Sequence, residues 1–342
     1  MISRMKQIEV SPSQLRSVLR DCHAAKLNPF VQGQPGVGKS AVVAQYAGEI
    51  QAEFIDARLA YYAPQDVQGF PYLETDKEGV RTMRLSRPAF WPKTDSPVIA
   101  LEEFNCATRA VQNVALQLLN DRRVGDHRLP DDAFVVLLGN RAEDRVHIEK
   151  LSSAVVNRIV NIRVRLDLED WIKWAHGNGV EPIVIAFLRF RPDLLTTFDG
   201  AKWDGVSNFA SPRTWEKASA IIAHSSDGEV RRALLNGALG QGAAAEFLGF
   251  VGIWEKLPNL DTVLKNSKVA PMPEDPSVLY ATCAGLSKKV KAQTMGNFLE
   301  FVGRMPKEFE VFAVKLAIHA EEALCRTPAF AQWATRNHEA LT

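Results

Sequence analysis

The chain has 342 residues, 46% of them apolar, which is material for two or three domains with real cores and excludes bulk disorder. Its 41 Lys and Arg stand against 40 Asp and Glu, a net charge of +1. No global positive field is available to hold nucleic acid, and only a local basic patch is left for that task.

Short β-branched runs alternate with helical spacing through the first half, the pattern of a parallel sheet wrapped by helices. Residues 28–33, 53–56, 97–101, 134–139 and 159–164 are the five expected strands. Between them, Val42, Val43, Tyr46, Ala47 and Ile50 recur with helical spacing, as do Val111, Val114, Ala115, Leu118 and Leu119. Past residue 166 the strand signals stop, and Trp171, Trp174, Ile183, Phe187 and Leu188 sit among helix formers. Pro258, Pro271, Pro273 and Pro276 mark an irregular stretch before the last helices, where Phe309, Phe312, Leu316 and Leu324 are expected to form an apolar stripe.

One motif carries chemistry. Gly33 to Ser40 spell GxxxxGKS between an expected strand and an expected helix. Gly33, Gly36, Val37, Gly38 and Ala41 would let backbone N–H groups and the helix N-terminus wrap a polyphosphate. Lys39 would reach the β- and γ-phosphates of ATP, and the Ser40 hydroxyl would ligate Mg²⁺. The third strand runs into Glu102 and Glu103, where a hydrolytic P-loop enzyme places one acid for the magnesium shell and another to orient the attacking water. The fourth ends in Asn140, whose amide can hold a water or a γ-phosphate oxygen.

These residues resemble the AAA+ ATPases, and among them the MoxR-like group. GQPGVGKS resembles the family's Walker A, VIALEE its Walker B and LLGN its sensor 1. LSSAVVNRIV resembles the segment that ends in an arginine finger, here Arg158, with Arg141 and Arg145 as alternatives; SPRTW is similar to the start of the sensor 2 helix, with Arg213 as the sensor. APQDVQGFPYLE resembles the helix-2 insert, and LLNDRRVGDHRLPDDAF the hairpin before sensor 1, with Gly125 and Asp126 at its turn. The resemblance implies a five-stranded parallel P-loop core of order 5-1-4-3-2, an all-helical lid and a helical C-terminal extension. The corresponding divisions fall at 1–165, 166–255 and 256–342. It also implies a ring, usually a hexamer, with ATP between subunits, and often a partner with a von Willebrand factor A domain. One departure is Glu102 where the family has Asp.

The leading functional expectation is an ATP-hydrolysing ring that remodels a protein client. The competing ones are a nucleic-acid motor or repair ATPase, and a slow nucleotide switch motivated by Glu102. The four cysteines, Cys22, Cys106, Cys283 and Cys325, are too widely spaced for a CxxC pair, which argues against a zinc site or a disulfide framework and fits a reducing cytosol. Residues 1–20 contain no apolar signal core and no window approaches a membrane span, so a soluble cytoplasmic protein is expected. The cluster Arg122, Arg123, His127 and Arg128 is read as lining a pore or an intersubunit face, and residues 287–291 as a solvated helix face. Phe70, Tyr72, Phe90 and Trp91 are expected to pack the insert onto the core.

Overall fold

The computed structural model describes residues 8–144, 148–255, 257 and 259–337; Arg145 and Pro258 lie outside them. The chain divides into two compact units, one of residues 1–167 with 199–203, the other of 168–198 with 204–342.

The first unit holds a parallel sheet. Its strands are β1 (Glu9–Val10), β2 (Pro29–Gln32), β3 (Phe54–Arg58), and, after the hairpin β4 (Pro71–Thr75) and β5 (Arg81–Leu85), β6 (Val98–Glu102). A second hairpin, β7 (Arg123–Val124) and β8 (His127–Arg128), precedes β9 (Phe134–Gly139) and β10 (Val160–Val164). The order is β1-β10-β2-β9-β6-β3. Counting from the P-loop strand, the five strands other than β1 stand 5-1-4-3-2 as the resemblance implies. The sixth was not expected: two residues, Glu9 and Val10, pair with Arg163 and Val164 at the edge.

Side chains alternate across this sheet with the two-residue period of extended chain. Phe134, Val136 and Leu138 of β9, with Val98 and Ala100 of β6, share one buried cluster with Leu15, Leu19, Val43 and Ala47. The last four lie on helices α1 (Pro12–Ala24) and α2 (Lys39–Glu49). Val135 and Leu137, with Ile99 and Leu101, face the other way, against Val111, Ala115 and Leu118. Those belong to α4 (Arg109–Asn120), which follows the short α3 (Pro64–Gln68). With both faces covered, the strands read as continuous apolar runs and the C-terminal ends of β2, β6 and β9 are what the sheet presents for chemistry.

The hairpins are joined to each other. Arg84 pairs with Asp126 at 3.4 Å, and His127 Nε2 lies 2.8 Å from the Leu85 carbonyl while its ring stands against Trp91. Gly125 and Asp126 make the β7–β8 turn as expected. Phe90 and Trp91 are buried, but Phe70 and Tyr72 are at least half exposed, so only two of those four aromatics pack the insert. Arg122 is also committed internally: its guanidinium donates to the carbonyls of Pro130 and Ala133 and closes the hairpin base. Arg123 and Arg128 are exposed.

Described residues of the second unit are helical or irregular, with no strand among them. After α5 (Ser153–Val156) in the first unit come α6 (Leu168–Gly177), α7 (Pro182–Phe190), α8 (Pro212–His224), α9 (Gly228–Leu239) and α10 (Gln241–Glu255). They bury Phe187, Trp215, Phe247 and Phe250 against one another. Then follow α11 (Leu260–Lys265), α12 (Pro276–Lys289), α13 (Met295–Val302), α14 (Lys307–Ala320) and α15 (Pro328–Arg336). Tyr280 of α12 stands between Phe190 of α7 and Phe309 of α14, so helices on both sides of residue 256 share this unit. Two local expectations change. Leu324 is buried but falls in a separate 3-10 turn after α14, and Ser287 and Val290 are buried while only the lysines between them are exposed.

Candidate active site

The P-loop connects β2 to α2. Gly36 and Gly38 have φ of +76° and +96°, in the left-handed region where a Cβ is strained, and between them the Val37 N–H donates to the Gln34 carbonyl at 3.3 Å, which closes the loop into a tight turn. Lys39 opens α2, and its Nζ donates to the carbonyls of Gly33 at 2.8 Å and Gln34 at 3.2 Å. The ammonium is therefore folded across the mouth of its own loop, with donors turned to carbonyls that an anionic phosphate can replace. Val37 is buried beneath the loop, and Ala41 is exposed on the first turn of the helix.

Across from the loop, β6 delivers Glu102 as its last residue. Glu102 is only 8% exposed, and Ser40 lies close enough to act on its carboxyl. Burial raises the Glu102 pKa, with Asp56 adding to the rise; Ser40 and the charges of Lys39 and Arg58 oppose it. Glu102 Oε1 is buried without a hydrogen-bond partner. A buried carboxylate oxygen left unpaired beside a Ser hydroxyl is a costly arrangement that a hard divalent cation would relieve, so Ser40 and Glu102 fit Mg²⁺.

Glu103 leaves the strand with φ +54°, one of four non-glycine residues among those described in the left-handed region. Such strain concentrates where a side chain must be aimed. Asn140 follows β9, and its N–H and carbonyl are both held by the Asn105 side chain, while its own Nδ2 lies 3.4 Å from Cys106 Sγ. The sheet thus brings Lys39, Ser40, Glu102, Glu103 and Asn140 to one edge.

The two remaining arginines are placed elsewhere. Arg158 lies two residues before β10, at the opposite, N-terminal edge of the sheet, exposed and bonded to Asn120 and the Ala154 carbonyl. It cannot serve the P-loop of its own chain. Arg141 is fully engaged: it forms a fork with the buried Asp144 at 2.7 to 3.2 Å, and Gly200 presses on Asp144 so closely that a Cβ there would sit 2.6 Å from its Cα. This pairing sets Arg141 apart from the exposed Arg158; Arg145 is outside the described residues. Arg213 belongs to the second unit. Ser211 caps α8 by reciprocal bonds with Thr214, Pro212 takes the first turn and Trp215 is buried, which leaves Arg213 exposed.

Asn105 escaped the sequence reading. An Asn two residues past an acidic pair looks like a turn former, and only the register of β6 against β9 reveals its second role.

Residues 28–159 match the family model of the AAA domain, dynein-related subfamily. That span opens one residue before β2 and closes one residue before β10, and so encloses the P-loop, Glu102, Glu103, Asn140 and Arg158. Over that span the parallel sheet is a P-loop fold of the AAA type, and a substantial helical part follows it in the chain. No protein of curated function matches the chain in sequence. Among solved structures it is similar to the Thermotoga maritima RuvB Holliday junction branch migration motor, at 14% identity over 84% of this chain and 83% of that one, TM-score 0.38. It is also similar to NtrX from Brucella abortus, at 14% identity over 91% and 69%, TM-score 0.39. A DNA polymerase III gamma subunit-related protein from Thermotoga maritima is 11% identical over 97% and 98%, TM-score 0.36. No helix among the described residues is long and apolar enough to cross a membrane.

Proposed function

We propose that this chain is an ATP-hydrolysing AAA+ protein of MoxR-like type, assembled as a homo-oligomeric ring and acting on a protein client. The observation that carries the reading is the meeting of the P-loop, Lys39 and Ser40 with Glu102, Glu103 and Asn140 at one end of the sheet. Lys39 exchanges loop carbonyls for phosphate oxygens and so binds only when a polyphosphate is present to replace them. Bound magnesium would neutralise charge on the β- and γ-phosphates, held by Ser40 and Glu102. Glu103 orients the attacking water and receives its proton as the bond to the γ-phosphorus forms and the bond to the bridging oxygen of ADP breaks. Asn140 contacts the γ-phosphate oxygens. Arg158 supports a shared site, because its position at the far edge of the sheet leaves it useful only to a neighbouring copy. Arg213, exposed at the start of α8, is the sensor 2 residue that the resemblance implies, and the loss of the γ-phosphate is the signal passed to the client or to a von Willebrand factor A domain partner.

The test is multiple-turnover phosphate release together with particle mass, each with and without ATP and Mg²⁺. The reading expects turnover that rises steeply with protein concentration as rings form. Turnover unchanged on dilution to monomer would remove the shared site. Stimulation by DNA with a steep salt dependence would replace the protein client with nucleic acid.

A further inference from the structure

Asn105 makes a contact that resembles backbone pairing. Its side chain is 3% exposed. Its Oδ1 accepts from the Asn140 N–H at 3.1 Å and its Nδ2 donates to the Asn140 carbonyl at 2.8 Å. Those are the two groups that a residue on a neighbouring strand would pair. The β6–β9 ladder ends at Leu101 and Leu137, and the Asn105 amide continues it past the point where β6 has turned away at Glu103. Gly139 makes the approach possible, since a Cβ at that position would fall inside the contact distance of both Asn105 Oδ1 and the Phe30 ring. On its other side, the Asn105 carbonyl accepts from the Glu149 N–H at 2.7 Å.

We propose that Asn105 is a positioning residue, which locks the Asn140 backbone to the turn that carries Glu103 so that the water-orienting carboxylate and the γ-phosphate contact move as one body. The proposal rests on the ATPase reading above. Only a carboxamide, or a protonated carboxyl, offers one acceptor and one donor at this spacing; a carboxylate would set a negative oxygen against the Asn140 carbonyl.

The experiment is steady-state ATP hydrolysis by the full chain, with nucleotide affinity measured separately, for wild type, Asn105→Ala, Asn140→Ala, the double variant and Asn105→Asp. Displacing a reacting constellation by about an ångström costs on the order of 10²-fold, so Asn105→Ala is expected to lower kcat by about that factor while KM and ATP affinity stay near wild type. Because part of the effect of Asn105 passes through Asn140, the double variant should lose less than the product of the two single losses. Asn105→Asp should be slow at pH 8 and recover relative to wild type toward pH 6, as protonation of its buried carboxyl restores the donor. Wild type without turnover would sink the ATPase reading and this inference with it. Active wild type with an unaffected Asn140→Ala would remove Asn140 from the site, and the inference again. Impaired Asn140→Ala beside an unimpaired Asn105→Ala, or additive losses in the double variant, would overturn the inference alone. Should Asn105→Ala fail to fold, Asn105→Asp decides: an activity ratio to wild type that is flat with pH overturns the proposal.

Discussion

Ser40 stands beside the buried carboxyl of Glu102 at the P-loop, and Glu102 Oε1 is buried with no hydrogen-bond partner. Its raised pKa makes the folded chain bind a proton more tightly than the unfolded chain, so stability falls as pH rises above the ordinary Glu range through the Glu102 pKa. Glu102→Gln, which removes the buried charge, is therefore expected to raise thermal stability at neutral pH without magnesium. It should also abolish magnesium-dependent nucleotide binding. For wild type, magnesium affinity should weaken on acidification, readable by calorimetry across pH 5 to 8; an affinity independent of pH would separate Glu102 from the metal.

Arg158 stands at the sheet edge away from its own P-loop. Arg158→Ala is expected to bind ATP normally and to lose hydrolysis by roughly 10³ to 10⁵, the range for a trans-acting arginine. Glu103→Gln should also bind without turning over. Mixed in one ring, the two inactive variants should regain activity, since each supplies the group the other lacks at some interfaces. No recovery across mixing ratios would place the finger elsewhere.

The Arg141–Asp144 fork is a buried charge pair, with the Asp144 side chain 2% exposed. Asp144→Ala leaves a largely buried guanidinium without its partner and is expected to cost about 3 to 5 kcal/mol of stability. Chemical denaturation measures this directly. A loss within about 0.5 kcal/mol, as for a surface substitution, would show the pair to be dispensable.

His176 of α6 stacks on His319 of α14, with ring centroids 4.0 Å apart. Burial, then the neighbouring His319 and Arg189, lower its pKa from 6.5 to about 3. The unfolded chain therefore takes up a proton between those values that the folded chain refuses, and the stability of the helical unit should decline as pH falls from about 6.5 toward 3. His176→Gln, which keeps polarity without titrating, should flatten that decline in melts between pH 7 and 4. An identical slope would assign the acid sensitivity to other groups.

Much of the P-loop end of the sheet is legible because its determinants are local. GxxxxGKS needs only the backbone of its own loop, and the apolar runs of β6 and β9 announce buried parallel strands on their own. What stayed hidden depends on register. Glu9 and Val10 are too short to signal a strand and pair only because β10 offers an edge. Asn105 looks like any polar turn residue until β9 lies beside it. Arg141, Arg145 and Arg158 are alike as letters, and only the burial of Asp144 sets Arg141 apart. Phe70 and Tyr72 are exposed where the sequence leads one to expect packing, because hairpin aromatics carry no mark of which face is covered.

The most direct measurement is ATP binding and phosphate release by the purified chain beside Lys39→Ala and Glu103→Gln. The account expects wild type to bind and turn over, Lys39→Ala to lose binding, and Glu103→Gln to bind without turnover. Wild type and Lys39→Ala indistinguishable in ATP affinity, or wild type and Glu103→Gln equally inert as assembled particles, would contradict it.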